Sequence, residues 1–88
     1  MRFLLEIVNE KGLHARASAK FVETVERFDA RALVSRDGLE VSGDSIMGLM
    51  MLAAGRGTSI EVTVDGAEAQ ALADALRDLV ASRFGESS

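Results

Sequence analysis

Cysteine, proline, tryptophan and tyrosine are all absent from this chain of 88 residues. Without cysteine no disulfide can hold the fold, so the core must form by burial of aliphatic side chains and phenylalanine. A chain this short folds as one unit, and we expect a single domain over residues 1–88. The composition, 48% hydrophobic and 27% charged, is typical of a globular protein.

Long apolar runs and an excess of basic side chains are also missing. No segment approaches the roughly 20 apolar residues that cross a bilayer, and the apolar run near the N-terminus is too short for a signal peptide. We therefore expect a cytoplasmic protein with no direct membrane insertion. The formal net charge is −4. Because nucleic-acid backbones select basic surfaces, we expect no nucleic-acid partner.

Alternating apolar residues predict four short strands. The pair Asp37-Gly38 favours the positive φ angles of a type I′ turn and predicts a hairpin between the two middle strands. Outward positions such as Glu61 and Thr63 are polar, which predicts a sheet with one face in water. The predicted strands span residues 3–8, 30–36, 39–42 and 59–64.

Apolar residues at helical spacing predict three helices. One stripe runs over residues 18–28 and another over residues 72–80, with Gly85 beyond it as the end of the helix. Between these stripes, Ser45 is placed to cap a short helix over residues 46–54. The resulting order, βαββαβα, predicts an α+β fold in which a four-stranded antiparallel sheet is covered on one face by three helices.

The one histidine of the chain, His14, stands immediately before the first helical stripe. A helix start has unpaired N–H groups and the positive end of the helix dipole, so it can hold a phosphoryl group. Neutral imidazole is a competent nucleophile, and Arg16 can add a charge-assisted hydrogen bond. We therefore expect His14 to accept a phosphoryl group, Arg16 to orient it, and Ala15 and Ala17 to contact it at the helix start.

Residue sets that hydrolyse a substrate or hold a metal are not found around this histidine. The chain has no Ser-His-Asp arrangement and no acidic residues at metal-ligand spacing with His14. We therefore predict a carrier without cofactor, metal or catalytic apparatus, and not an enzyme. A lone histidine at a helix start is also a common cap or surface residue. The competing interpretation is a binding or structural module in which His14 has no chemical role.

Two motifs lie some thirty residues apart: Gly12-Leu13-His14-Ala15-Arg16 and Ser45-Ile46-Met47-Gly48-Leu49. Together they resemble the HPr family, the histidine-containing phosphocarriers of the phosphoenolpyruvate-dependent phosphotransferase system. The resemblance covers nearly the whole chain and implies an open-faced β-sandwich. It also implies that phospho-enzyme I phosphorylates Nδ1 of His14 and that an enzyme IIA protein takes the phosphoryl group.

The same resemblance implies a regulatory site and a docking surface. In part of the family, the serine that corresponds to Ser45 is phosphorylated by an ATP-dependent HPr kinase/phosphorylase. The simpler interpretation of Ser45 is a helix N-cap. Small and apolar residues around the site would form a surface shared by successive partners, although any one of them could instead belong to the core. They are Ala15, Ala17, Met47, Leu49 and Met50.

Ala17 departs from the family pattern, which usually has proline at this position. Alanine restores a backbone N–H and removes a rigid dihedral angle at the first turn. This alanine, the four methionines and Gly43-Asp44-Ser45 favour a branch of the family that regulates nitrogen or carbon metabolism. Sugar transport and regulation both stay open as functions. A protein that presents one site to several partners is expected to be a monomer.

Overall fold

Four antiparallel strands form a single sheet in the computed structural model, which describes residues 1–88. The strand that comes last in the sequence lies between the first and the second, and the third pairs with the second at the edge. Apolar residues oppose each other across the ladders, for example Leu5 with Ile60 and Val34 with Val62. The strands are β1 (Arg2–Glu6), β2 (Arg31–Arg36), β3 (Leu39–Ser42) and β4 (Ser59–Asp65).

Three helices cover one face of this sheet. Inward residues of β4 alternate with more exposed ones, because successive side chains of a strand point to opposite faces. None of the helices combines the length and apolar character needed to cross a bilayer. The predicted fold class and element order are confirmed. The helices are α1 (Ala15–Glu26), α2 (Ile46–Met51) and α3 (Ala69–Ala81), followed by one 3₁₀ turn (Arg83–Gly85).

The hydrophobic core lies between the sheet and the helices. Ile60, Val62 and Val64 of β4 have no exposed surface, and they belong to one apolar cluster with Phe21 of α1 and Leu76 of α3. The opposite face of the sheet is open, and Leu4 on it is 68% exposed. This arrangement is an open-faced sandwich of one sheet and one helical layer.

The hairpin turn agrees with the prediction, whereas several element ends differ from it, among them the ends of β1 and α2. Asp37 and Gly38 both have positive φ, 52° and 84°, as a type I′ turn requires. Strand β1 ends at Glu6 instead of residue 8. The next amide, that of Ile7, donates to the Thr58 carbonyl at 2.8 Å, just before β4 begins. The chains thus stay paired beyond β1 without continuing as regular strand.

Helix α2 ends at Met51, three residues earlier than predicted. Ala53 has a φ of 50°, a left-handed conformation that ends the helix. The Arg36 guanidinium donates to the Leu52 carbonyl at 3.0 Å and so satisfies an acceptor at the helix end. The prediction extends past this point because apolar residues continue along the chain, and Leu52 and Ala54 are buried in the core.

Gly12 brings the loop before α1 against the segment that follows α2. Its φ is 67°, and a Cβ atom at this position would lie 2.4 Å from the carbonyl oxygen of Ala54. The next amide, that of Leu13, donates to this same oxygen at 2.9 Å. Only glycine accommodates both the positive φ and the close approach. The start of α1 is therefore fixed beside the end of α2.

We predict that Leu76→Ala lowers the free energy of unfolding by about 2–5 kcal/mol, because the Leu76 side chain is fully buried. The matched control is Leu4→Ala on the open face of the sheet, which should change that free energy by only about 0.5 kcal/mol. Urea denaturation followed by circular dichroism measures both. Equal losses of stability in the two variants would contradict the assignment of the sheet faces.

Candidate functional site

His14 is the N-cap residue of α1. Its backbone is extended, and its carbonyl accepts the first helical hydrogen bond, from the amide of Ser18 at 2.8 Å. Its Nδ1 atom accepts a hydrogen bond from the backbone amide of Arg16 at 3.3 Å. A histidine side chain thus takes the place of the Ser, Thr, Asp or Asn oxygen that usually caps a helix. The ring is directed at the first turn of α1 as a result.

The other ring nitrogen of His14 contacts a residue that sequence reasoning missed. Nε2 lies 2.5 Å from Oε2 of Glu86, near the C-terminal end of the chain. The second carboxylate oxygen, Oε1, accepts a hydrogen bond from Nδ2 of Asn9 at 3.0 Å. Asn9 is fully buried and also donates to the Gly12 carbonyl at 2.8 Å. A chain of hydrogen bonds therefore runs from the buried loop before α1, through Glu86, to His14.

These contacts determine the tautomer of the ring. An ionised carboxylate can only accept a hydrogen bond, and a backbone amide can only donate one. Nε2 therefore carries the proton and donates it to Glu86, while Nδ1 keeps its lone pair toward the Arg16 amide. The lone pair of the neutral ring lies at the helix start.

The Glu86 carboxyl is held in its ionised form by its neighbours. Burial by itself disfavours the charge, but hydrogen bonds from His14 and Asn9, together with the positive charge of Lys11, outweigh this effect. The net result is that the pKa of Glu86 lies below its usual value. The carboxylate is therefore an acceptor over the ordinary range of pH.

The C-terminal segment reaches the site through three separate anchors. Phe84, at a φ of 56°, buries its ring completely in the core. The Lys20 ammonium donates to the Phe84 carbonyl at 2.6 Å, and the Glu10 amide donates to an oxygen of Ser88 at 3.1 Å. Residues 84 to 88 thus turn back across the start of α1. The sequence predicts only that the last helix ends at Gly85, and not that the chain beyond it contacts the start of α1.

An open, mostly polar depression surrounds the exposed part of the ring. The backbone amides of Ala15 and Ala17 make no hydrogen bond within the chain, as expected for the first turn of a helix. The Arg16 side chain is exposed beside them. No group of three or more His, Cys, Asp or Glu side chains is placed to hold a metal ion. The residues that line the depression are Lys11, His14, Ala15, Arg16, Glu86, Ser87 and Ser88.

Exposed apolar side chains of α2 lie close to this depression. Met50 and His14 line one shallow groove, and Met47 is 75% exposed. Leu49 is fully buried, so its assignment to a docking surface is wrong; it points inward on the same helical face as Leu52. The Ala17 side chain is likewise buried and cannot be part of such a surface. Two exposed residues that sequence reasoning missed are Ile46 and Met51.

Ser45 is the N-cap of α2, as predicted. Its Oγ atom accepts a hydrogen bond from the Gly48 amide at 3.0 Å, and the residue is partly exposed. A Cβ atom at Gly48 would lie 3.0 Å from both the Ser45 hydroxyl and Cβ of Val41. Gly48 is therefore closely approached by β3 and by the cap itself.

Known proteins resemble this chain over nearly its whole length. A family model described as the PTS HPr component phosphorylation site matches residues 1–82. The chain belongs to the HPr family. A phosphocarrier protein HPr from Neisseria meningitidis is 50% identical over 82 residues, which cover 93% of this chain and 92% of the relative.

Two solved structures from Thermoanaerobacter tengcongensis share this HPr fold. One, an HPr, has a TM-score of 0.94 and 36% identity, covering 100% of this chain and 99% of the other. The second, described as an HPr dimer, has a TM-score of 0.78 and 39% identity, covering 93% of this chain and 94% of the other. The likeness to HPr thus extends over sequence and fold together.

The departure from the usual HPr pattern at Ala17 has a definite structural consequence. Proline has no N–H, whereas Ala17 contributes an amide that is left without a partner at the first turn of α1. The Ala17 side chain is buried, so only its backbone can serve the site. This HPr-family chain therefore presents one more donor at the helix start than a chain with proline would.

We predict that the stabilisation contributed by Glu86 is lost in acid. The folded-state pKa of Glu86 is lowered from its ordinary value of 4.5, so ionisation stabilises the folded state above that pH. The difference in unfolding free energy between the wild type and Glu86→Ala should shrink as the pH falls below about 4.5. Urea denaturation at a series of pH values measures this difference. Glu40→Ala, at an exposed carboxyl in β3, is the control, and a difference that did not change with pH would contradict the assignment.

Proposed function

We propose that this chain carries a phosphoryl group from one protein to another on Nδ1 of His14. The observation that carries the proposal is the pair of contacts made by the ring. Nε2 faces a carboxylate and Nδ1 faces a backbone amide, so the lone pair is kept on Nδ1 at the start of α1. This is also the nitrogen that the resemblance to the HPr family implies. The chain acts as a carrier and not as an enzyme.

The transfer balances without any change in the protons of the ring. The Nδ1 lone pair attacks phosphorus in the donor, the Nδ1–P bond forms, and the bond from phosphorus to the donor breaks with its electrons going to the donor. The ring then carries a positive charge and keeps its Nε2 proton. When an acceptor attacks the phosphorus, the electrons of the Nδ1–P bond return to Nδ1. The carrier is thereby restored.

The start of α1 supplies the groups that stabilise the bound phosphoryl group. The amides of Ala15 and Ala17 have no partner, and the Arg16 amide is released when Nδ1 forms its bond to phosphorus. At 3.3 Å the bond from Arg16 is longer than most N–H hydrogen bonds, so its exchange costs little. The helix dipole favours the phosphate charge, and the Arg16 guanidinium can pair with its oxygens.

We propose enzyme I as the donor and an enzyme IIA protein as the acceptor, both docking on the surface beside His14. Met47 and Met50 are 75% and 44% exposed on α2, and Met50 shares a groove with His14. Flexible methionine side chains suit a surface that must fit several partners in turn. Ala15, exposed beside the ring, belongs to the same surface.

Several expectations from the sequence stay predictions within this proposal. They are regulatory phosphorylation of Ser45 by an HPr kinase/phosphorylase, a monomeric state, and one carrier domain over residues 1–88. The Ser45 hydroxyl already serves as a cap acceptor, and a phosphate at a helix start is electrostatically tolerable. The branch served, sugar uptake or nitrogen and carbon regulation, depends on which acceptor protein takes the phosphoryl group.

We expect phosphoenolpyruvate and enzyme I to add about 80 Da to the intact mass, because one phosphoryl group binds to a nitrogen nucleophile. Mild acid should remove this mass, because phosphohistidine is acid-labile. His14→Ala should gain nothing, whereas Ser45→Ala should react like the wild type. Absence of any gain in the wild type with its cognate enzyme I would overturn the proposal. An acid-stable gain with ATP and an HPr kinase would identify Ser45 as the second site.

Arg16→Ala should slow phosphoryl transfer by roughly 10- to 100-fold, the effect of losing one charge-assisted hydrogen bond. Because the side chain is exposed, thermal stability should stay close to that of the wild type. Rapid-quench measurement of transfer from phospho-enzyme I gives the rate. Arg2→Ala, which removes an equal charge from the open face of the sheet, is the control. A normal rate in Arg16→Ala would remove Arg16 from the site.

A further inference from the structure

We propose that Glu86 is a positioning residue for phosphoryl transfer, and that Asn9 sets the orientation in which it acts. The proposal rests on the function proposed above and concerns residues outside both sequence motifs. Oε2 of Glu86 accepts a hydrogen bond from Nε2 of His14 at 2.5 Å, and Oε1 accepts one from Nδ2 of Asn9 at 3.0 Å. The carboxylate holds the ring so that Nδ1 presents its lone pair before the phosphoryl group binds and recovers it when the group leaves.

The orientation of the Asn9 amide follows from its surroundings. Its Nδ2 atom donates to two acceptors, the Gly12 carbonyl and the Glu86 carboxylate. The reversed amide would turn its oxygen toward both acceptors and leave them without a donor. The Oδ1 atom instead lies buried without a partner. Because Asn9 is fully buried, its amide is fixed with the NH₂ group toward Glu86.

The charge of Glu86 matters most after the phosphoryl group has bound. The phosphorylated ring is positively charged and has a proton only on Nε2, the atom that faces the carboxylate. An ionised acceptor stabilises that charge and keeps the proton in place. Retention of this proton allows the Nδ1–P bond to break with its electrons returning to Nδ1. The same carboxylate thus serves the acceptance and the release of the phosphoryl group.

This arrangement makes an unusual prediction for glutamine at position 86. The Gln side chain has one oxygen, and the fixed Asn9 NH₂ group requires that oxygen on its own side. The Gln NH₂ group is then directed at Nε2 of His14, which must supply a lone pair, so the proton moves to Nδ1. The proton on Nδ1 then faces the Arg16 amide, so two donors meet at the more exposed end of the site. The alternative orientation of Gln would place its NH₂ group against that of buried Asn9. Glu86→Gln therefore blocks the nucleophile, although glutamine has the shape of glutamate.

Glu86→Ala removes the carboxylate without introducing a donor. The Arg16 amide still donates to Nδ1, so the lone pair stays on that atom. We expect this variant to transfer more slowly than the wild type by several-fold, and Glu86→Gln to be slower by roughly tenfold or more. A purely structural role would give the opposite order, because Gln preserves shape and Ala does not.

The test combines transfer rates with the tautomer of His14. Rates of transfer from phospho-enzyme I are measured by rapid quench for the wild type, Glu86→Ala and Glu86→Gln. Long-range ¹H–¹⁵N spectra of the neutral ring report which nitrogen is protonated. The control Glu40→Gln makes the same chemical change in β3, on an exposed carboxyl away from the site.

The expected result is the rate order wild type, Ala, Gln, with growth of the Nδ1-protonated ring only in Glu86→Gln. Equal rates in all three proteins, or Gln between the wild type and Ala, would overturn the proposal. An unchanged Nε2-protonated ring in Glu86→Gln would overturn it as well. If the wild type itself accepts no phosphoryl group, the carrier function fails, whereas the tautomer measurement still decides whether Glu86 and Asn9 control the ring.

Discussion

The close approach of Gly12 to the backbone of Ala54 is the contact on which the site depends. It fixes the loop before α1. The Gly12 carbonyl in turn accepts a hydrogen bond from the side-chain NH₂ group of Asn9, which also donates to Glu86. The Leu13 amide donates to the Ala54 carbonyl, so His14 begins α1 at a defined place beside α2. Packing of two loops thus decides both the direction of the histidine ring and the position of its carboxylate partner.

Local features of the sequence were enough to predict the fold and the position of His14 at a helix start. Strand alternation, helical stripes and the turn pair Asp37-Gly38 are properties of neighbouring residues, and they predicted the element order. The placement of His14 before an apolar stripe predicted a helix start there, because caps and first turns are local structures. The predicted ends of β1 and α2 are wrong at places where the chain leaves regular structure while side chains such as Ile7 and Leu52 remain buried.

Glu86 and Asn9 could not be predicted in the same way, because their hydrogen bonds join distant parts of the chain. Glu86 follows the last helix by several residues and has no periodic neighbour to indicate its direction. Its return to His14 depends on burial of Phe84 and on the bond from Lys20, neither of which has a local sequence signal. The error at Leu49 has a different cause. In a helix of only six residues, a shift of one position along the sequence changes an inward side chain to an outward one.

In the proposed mechanism, the two nitrogens of His14 meet opposite requirements of a carrier. Acceptance requires a nucleophile with a free lone pair, and release requires a leaving group that carries positive charge. A single ring satisfies both when one nitrogen forms the bond to phosphorus and the other keeps a proton against an anion. The weak bond from the Arg16 amide to Nδ1 and the strong contact of Nε2 with Glu86 divide these tasks between the two atoms. In the proposed mechanism, one nitrogen therefore exchanges its bond to phosphorus while the other keeps its proton.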